Sequence, residues 1–243
     1  MSLSKKPYLK NISLKSDYAF DAGEYPFNIP AVQDLEKIAF NPHVTFFVGE
    51  NGSGKSTVLE AIALASGFGH EGGTRNVKIQ TSDSESALHN ALRLSKSFAS
   101  PRDAYFLRAE SFFNVASYMD RTGYLEGYGN KSLHACSHGE AFMAVLLNKL
   151  RGQGFYLLDE PEAALSPTRQ LAALSAIHQL VQDDSQFIIA THSPILLSYP
   201  HATIFQFNEQ GIQDVKFEET EHYAVTRDFL NNYPRRLEQL LDD

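Results

Sequence analysis

The chain has 243 residues, of which 43% are hydrophobic and 21% charged, so it can bury a full core as one large domain or two lobes. Its net charge of -8 excludes a general attraction to nucleic acid or anionic membranes. A single cysteine excludes an internal disulfide framework and suits a reducing cytoplasm. No apolar run approaches the length of a membrane span, so we expect no transmembrane segment.

The first predicted elements are a strand and an aromatic loop. Apolar and polar residues alternate over residues 8–14, which predicts a half-buried strand. Residues 21–30 are rich in Gly, Pro and aromatic residues, which indicates a loop. Tyr25 or Phe27 is a candidate to stack on an adenine ring, although aromatic residues in such loops more often pack beneath them.

Residues 45–65 are typical of an apolar strand, a glycine loop and a helix. Within them, residues 49–56 fit the phosphate-binding pattern G-x-x-x-x-G-K-[ST] at every fixed position. Glycines let the backbone fold around an anion, so that N–H groups and the helix N-terminus point at phosphate oxygens. We expect Lys55 to hold the β- and γ-phosphates and Ser56 to bind Mg²⁺; the alternative is an ordinary glycine turn. The expected nucleotide contacts here are Gly49, Glu50, Asn51, Gly52, Ser53, Gly54, Lys55, Ser56 and Thr57.

Apolar periodicity predicts several elements in the middle of the chain. Helical spacing from Leu88 to Ser95 predicts a helix over residues 85–98 that ends before Pro101. Residues 104–107 read as a core strand that leads to Arg108 and Glu110, and residues 112–119 as an amphipathic helix. Glycines and tyrosines indicate a loop over residues 123–129.

A polar motif precedes the next predicted helix. Ser137 and Glu140 have the spacing of a capping box, in which each side chain bonds the other residue's backbone N–H. This interpretation does not require Gly139, which normally weakens a first helical turn.

Two later strands end in polar residues. The apolar run of residues 155–158 predicts a buried parallel strand that delivers Asp159 and Glu160 to its C-terminal edge, where ligands bind in α/β sheets. Asp159 suits Mg²⁺ coordination, and Glu160 is placed to accept a proton from the water that attacks the γ-phosphate; helix capping is the alternative. Residues 187–190 predict another such strand, which leads to His192.

The remaining elements are predicted to be structural. Ser166 and Pro167 begin a helix that runs to Val181. A hairpin is expected over residues 203–217, and helical segments over residues 223–230 and 235–241. We expect no chemistry in these C-terminal helices.

Taken in order, GENGSGKS, SHGEA, YLLDEPEAALSP and ATHSP resemble the motifs of the ATP-binding-cassette superfamily over nearly the whole chain. Together they are specific, because each has the family's order and approximate separation. The resemblance implies an α/β P-loop NTPase fold, with a mixed, mainly parallel central sheet and a small helical lobe. FFVGENGSGKSTVLEAIA and DEPEAALSP look most similar to stand-alone ATPases of the SMC-like and RecF-like branch, which are AAA family ATPases in the broad P-loop sense.

The resemblance also implies roles for the motifs. Residues 49–56 are similar to the Walker A loop, residues 137–140 to the signature, Asp159 and Glu160 to the Walker B pair, and residues 164–166 to the D-loop. In the family, two subunits pack head to tail, so each ATP lies between one Walker A loop and the partner's signature. That arrangement accounts for Gly139 as a glycine that approaches the partner's nucleotide. The implied signature contacts are Ser137, Gly139 and Glu140; the implied catalytic residues are Glu160, His192 and Lys55; the implied metal ligands are Ser56, Asp159 and Glu110.

The chain departs from the family pattern in three places. No glutamine stands at the strand end where the Q-loop would fall, since Arg108 or Glu110 occupies that region and Gln80 lies too early. The signature has Cys136-Ser137-His138-Gly139 in place of the Leu-Ser-Gly-Gly common in transporters. The piece between Glu110 and Ser137 is too short for a long coiled coil.

We therefore expect one ATPase domain over residues 1–243, with a core lobe at about 1–110 and 153–243 and a helical lobe at about 111–152. The main hypothesis is a cytoplasmic ATPase that forms a homodimer on binding ATP and Mg²⁺, and whose hydrolysis is felt by an unidentified protein or nucleic-acid partner. The first alternative is the ATP-binding subunit of a membrane transporter, which the missing glutamine disfavours. The second is a nucleotide-binding regulator that does not hydrolyse, which Glu160 disfavours.

Overall fold

The computed structural model describes residues 6–76, 87–112, 114–117 and 137–241. A six-stranded sheet of order β5-β6-β7-β3-β8-β9 lies at its centre. Its strands are β3 (Val44–Gly49), β5 (Asp103–Arg108), β6 (Gly154–Asp159), β7 (Gln186–Ala190), β8 (Thr203–Asn208) and β9 (Gly211–Val215). Five run parallel and β9 is antiparallel to β8. The predicted α/β fold with a mixed, mainly parallel sheet is confirmed.

The central strands are buried on both faces, as expected of a parallel sheet covered by other elements. Every residue of β3, β6 and β7 is buried. Phe46 packs into a core with Tyr156 and Ile177 of the long helix α5 (Pro167–Gln182). Phe47 points to the other face, where it packs with Ile62 of α2 (Lys55–Ala65). The register places the carboxyl ends of β3, β5, β6 and β7 at one edge of the sheet.

A second, antiparallel sheet has the order β2-β1-β4, with β1 (Leu9–Leu14), β2 (Ile38–Ala39) and β4 (Leu92–Lys96). The helix predicted over residues 85–98 is wrong. Of the described residues 87–98, only those of α3 (Leu88–Ala91) are helical, and β4 follows α3 directly. Leu92 and Leu94 alternate with polar residues, so they fit a strand as well as a helix, and β1 supplies the pairing partner.

The other helices are α1 (Pro30–Gln33), α4 (His138–Ala144), α6 (Pro194–Leu197) and α7 (Glu221–Leu241), and residues 112 and 114–117 are also helical. A π turn, Val145–Lys149, extends α4, and short 3₁₀ turns cover Pro161–Ala164 and Phe217–Glu219. Both predicted C-terminal helices lie in α7, which is interrupted at Asn232. The predicted loop over residues 123–129 and Gln80 lie outside the described residues. Among the described helices, none is long and apolar enough to cross a membrane.

Candidate functional site

The phosphate loop joins β3 to α2 at the carboxyl edge of the sheet. Lys55 is the first residue of α2 and is only 4% exposed. Its ammonium donates to the carbonyl oxygens of Gly49, at 2.8 Å, and Glu50, at 2.7 Å. Burial lowers the pKa of Lys55, while the carboxylates of Glu160, Asp159 and Glu162 act in the opposite direction. Because an ammonium has three N–H donors, one remains for a ligand in the loop.

The loop has the tight backbone that a phosphate cradle requires. Gly49 has a φ of +147°, and a Cβ added there would lie 2.2 Å from the carbonyl oxygen of Phe207 on β8. The hydroxyl of Ser53 is buried and has no hydrogen-bond partner among the described residues. A cleft of about 430 Å³ lies over the loop, between it and the end of β8. A buried donor without a partner beside this cleft fits a phosphate oxygen.

A hydroxyl and a carboxylate meet next to the loop. Ser56 Oγ donates to Asp159 Oδ1 at 2.9 Å, and these residues come from α2 and from the end of β6. Burial raises the pKa of Asp159 to about 6, against the opposing effects of Ser56 and Arg108. Two oxygen ligands held together in this way have the chemistry that Mg²⁺ prefers.

Arg108 is a second cation beside Asp159, in addition to Lys55. It ends β5 in register with Asp159, and its Nε lies 3.8 Å from Asp159 Oδ2. Its other nitrogens contact Glu60 of α2, at 2.9 Å, and Glu110, at 3.2 Å. Glu110, predicted as a metal ligand, has a side chain that is 79% exposed and pairs with Arg108. Arg108 thus stands where a glutamine was expected, and the role of Glu110 stays a prediction.

The predicted base and the switch histidine face each other across two strand ends. Glu160 follows β6 with a left-handed backbone, φ 50° and ψ 51°, and its N–H donates to the carbonyl of Ala190. Its Oε1 lies 3.6 Å from His192 Nε2, which has no hydrogen-bond partner among the described residues. A non-glycine residue in this backbone region is held there by its surroundings and is common at active sites.

His192 has two further contacts that the sequence did not suggest. Its Nδ1 lies 3.0 Å from Nε2 of His222, on α7. Its backbone N–H and the hydroxyl of Thr191 both donate to the carboxylate of Glu162. Burial is the main cause that lowers the pKa of both histidines, which favours the neutral form of each ring. A second cavity, of about 540 Å³, is lined by His192, His222 and Glu50.

The signature motif forms the N-terminus of α4. The predicted capping box is confirmed: Ser137 Oγ accepts from the N–H of Glu140, and Glu140 accepts from the N–H of Ser137. Arg169 of α5 donates to Ser137 Oγ at 3.3 Å and contacts Glu140 at 3.4 Å. These hydrogen bonds, above all the one from the Ser137 backbone, lower the pKa of Glu140.

Gly139 has a packing role within its own chain. A Cβ added there would lie 2.6 Å from the carbonyl oxygen of Ala164 and 2.5 Å from Arg169. A close approach to a partner's nucleotide is therefore not needed to explain this glycine. The side chains of Ser137 and Glu140 form hydrogen bonds within the first turn of α4 and with Arg169.

The two candidate aromatic residues have different environments. Phe27 is 6% exposed and stacks on Phe20, with ring centroids 4.4 Å apart, so it is part of the core. Tyr25 is 66% exposed, and its hydroxyl lies 3.3 Å from that of Thr57 on the helix after the phosphate loop. Tyr25 is the one of the two that remains accessible to a ligand.

Comparison with known proteins decides the family. The AAA domain family matches residues 27–219. The chain belongs to this family. No curated protein matches the chain by sequence.

Several solved structures are similar to this AAA domain. The SMC head domain from Thermotoga maritima is 18% identical, with a TM-score of 0.42. The alignment covers 86% of this chain and 98% of that domain. The SMC head bound to the C-winged helix domain of ScpA is 14% identical, with 86% and 97% covered and a TM-score of 0.47. CbiO1 from Clostridium perfringens, part of the ABC transporter complex cbiONQ, is 20% identical, with 86% and 92% covered and a TM-score of 0.44.

The family match confirms the predicted P-loop ATPase-type domain. The structure brings Lys55, Ser56, Asp159, Glu160 and His192 together at one sheet edge. Three residues at this edge were not predicted to act there, namely Arg108, Glu162 and His222. The contact of Arg169 with the signature was not predicted either. For Arg108 the sequence held a signal, because it follows a predicted strand as the other site residues do.

Proposed function

We propose that this AAA domain hydrolyses ATP with Mg²⁺ at two composite sites of a head-to-tail homodimer, and so acts as a switch on an unidentified protein or nucleic-acid partner. The observation that carries the proposal is the placement of Ser56, Asp159, Glu160 and His192 beside the phosphate loop. The cytoplasmic location, and the division into a core lobe and a helical lobe at about residues 111–152, are parts of this proposal.

Nucleotide binding rests on the loop and on Lys55. The loop N–H groups and the N-terminus of α2 favour an anion at this position. Lys55 is already desolvated and oriented by two carbonyls, so little side-chain ordering remains to be done when a phosphate arrives. Tyr25 is the accessible aromatic residue for an adenine ring.

Mg²⁺ fits the pair of Ser56 and Asp159. Their oxygens are 2.9 Å apart, and the buried carboxylate has a raised pKa that a bound cation would lower. When bound, the ion supplies neutralisation of charge on the phosphate oxygens.

Hydrolysis rests on Glu160 and His192. Glu160 is positioned to accept a proton from a water molecule whose oxygen attacks the γ-phosphorus, while the bond from that phosphorus to the bridging oxygen breaks. A carboxylate can only accept a hydrogen bond, so a proton on Nε2 of neutral His192 suits the 3.6 Å approach to Glu160. His192 Nδ1 then accepts from His222 Nε2.

The dimer is proposed from the signature. Ser137 is exposed at the N-terminus of α4, where the helix dipole and a capping hydroxyl favour an anion. In the closed dimer, the γ-phosphate of the ATP held by the partner's phosphate loop would also contact this signature. ATP would then bind the closed state more tightly than the open state, as a switch requires.

The test of this proposal measures ATP hydrolysis and oligomeric state for the Glu160→Gln variant. We expect the variant to bind ATP with wild-type affinity, to release phosphate at least about a hundredfold more slowly, and to accumulate as a dimer on size exclusion. Glu238→Gln, which removes an exposed carboxylate near the end of α7, is the matched control and should hydrolyse normally. Turnover at the wild-type rate in Glu160→Gln would refute the role of Glu160 as base.

A further inference from the structure

A small cavity of about 160 Å³ lies at the amino ends of the strands, away from the phosphate loop. It is bounded by the start of β1, by the end of β4 and by Phe155 at the start of β6. Asp159, at the nucleotide edge, ends the same strand. The proposed ATPase chemistry uses no residue of this cavity.

Two cationic side chains line the cavity. Arg75 lies over the ring of Phe68, which is buried, with its guanidinium carbon 5.3 Å from the ring centroid. Stacking on a ring leaves the N–H groups at the edge of the guanidinium plane available, and the Nε of Arg75 is buried without a hydrogen-bond partner in the described part of the chain. Lys96, the last residue of β4, is exposed to solvent and lines the cavity at its open side.

Among the described residues, neither cation has a carboxylate that pairs with it. Across residues 6–76, 87–112, 114–117 and 137–241, no ion pair involves Arg75 or Lys96. Burial lowers the pKa of both side chains, and the charge of Arg75 lowers that of Lys96 further, so the two charges are close enough to repel. Holding two like charges together in a partly buried cavity is unfavourable unless an anion compensates them.

Hydroxyl donors lie in the same cavity. Ser66 is 8% exposed, and its hydroxyl is buried with no hydrogen-bond partner among the described residues. Ser97 Oγ accepts from the N–H of Ala99 and keeps its own proton for donation. The hydroxyl of Tyr8 is already used, since it donates to the carbonyl of Asp184.

We propose that this cavity is a binding site for a phosphate dianion, either free or as the head of a small monoester. Arg75 and Lys96 supply the compensating charge, and Ser66 and Ser97 supply neutral donors. A volume of 160 Å³ equals about five water molecules, which suits one tetrahedral oxyanion and its hydration. An anion there would accept from Arg75 Nε and Ser66 Oγ, the two lining groups that are buried without a partner among the described residues.

Calorimetric titration of the nucleotide-free protein with inorganic phosphate tests this proposal. We expect Arg75→Gln and Lys96→Met each to weaken binding at this site at least about tenfold, because each removes a charged donor. Arg93→Gln, on the exposed side of β4, removes the same charge outside the cavity and should bind as wild type does. Lys55→Ala distinguishes binding in this cavity from binding at the phosphate loop, because it should leave the affinity of the cavity for phosphate unchanged.

Two further measurements keep the test decisive. Ser66→Ala removes a single hydroxyl and preserves packing, so it should weaken phosphate binding several-fold even if a larger change disturbs folding. Titration with glycerol 3-phosphate distinguishes the two sources: binding indicates a monoester site, and exclusion with retained phosphate binding indicates a free anion. The proposal is overturned if Arg75→Gln, Lys96→Met and Ser66→Ala all bind phosphate as wild type does, or if Lys55→Ala alone abolishes every binding heat.

Discussion

Replacing Asp159 by Asn should stabilise the ligand-free protein at alkaline pH. Burial raises the pKa of this carboxyl to about 6, whereas an aspartate in an unfolded chain titrates near a pKa of about 3.9. The folded state therefore holds more protons than the unfolded state between about pH 4 and pH 6, and wild-type stability falls as the pH rises through that range. Above it, the charged carboxylate costs about 3 kcal/mol of folding free energy.

Asparagine keeps the shape of the side chain and can still accept from Ser56, but it carries no charge to desolvate. Arg108 loses one of its three acidic neighbours and keeps Glu60 and Glu110. We therefore expect a gain of about 1 to 3 kcal/mol in the free energy of unfolding at pH 8, which shrinks below about 1 kcal/mol at pH 4.5.

The assay is urea unfolding at several pH values in buffer without nucleotide and with a chelator of divalent cations. Asp214→Asn removes an exposed carboxylate on β9 and should change stability little at either pH. The reasoning fails if Asp159→Asn is no more stable than wild type at pH 8, or if its advantage is as large at pH 4.5 as at pH 8.

Two further predictions concern the nucleotide site. Lys55→Ala should abolish detectable ATP binding in calorimetry, because it removes the buried ammonium of the phosphate loop; unchanged affinity would contradict the site assignment. His222→Phe should lower kcat about tenfold with little change in KM, since it removes the hydrogen bond to His192 Nδ1. His222→Gln, whose amide can donate the same bond, should recover part of the rate, and equal rates in both variants and wild type would show that His222 does not position His192.

Local signals were enough to predict the elements that carry the phosphate loop and the Walker B pair. β3 and β6 are wholly buried, so their mainly apolar runs predict them. β3 ends at the first glycine of the phosphate loop and β6 ends at Asp159, both at the edge of a parallel sheet. The helix caps at Ser137 and Ser166 could also be predicted, because a capping hydroxyl accepts from a backbone N–H only three residues ahead in sequence.

Contacts between distant segments could not be predicted in the same way. Strand β4 owes its conformation to pairing with β1, about 80 residues earlier, and its own leucines fit two periodicities. His222 reaches His192 only because the chain returns along α7, so nothing in the local sequence marks it as part of the site. Gly139 has no room for a Cβ because Ala164 and Arg169, which lie on other elements, pack against it.

Mixing two inactive variants tests the composite site most directly. Lys55→Ala has a defective phosphate loop but an intact signature, and Ser137→Arg has the reverse. In a head-to-tail dimer, each mixed pair assembles one intact site, so an equimolar mixture should recover up to about a quarter of the wild-type ATPase rate while each variant alone is inactive. No recovery at any mixing ratio, with both variants folded and Ser137→Arg still binding ATP, would contradict a site shared between two subunits.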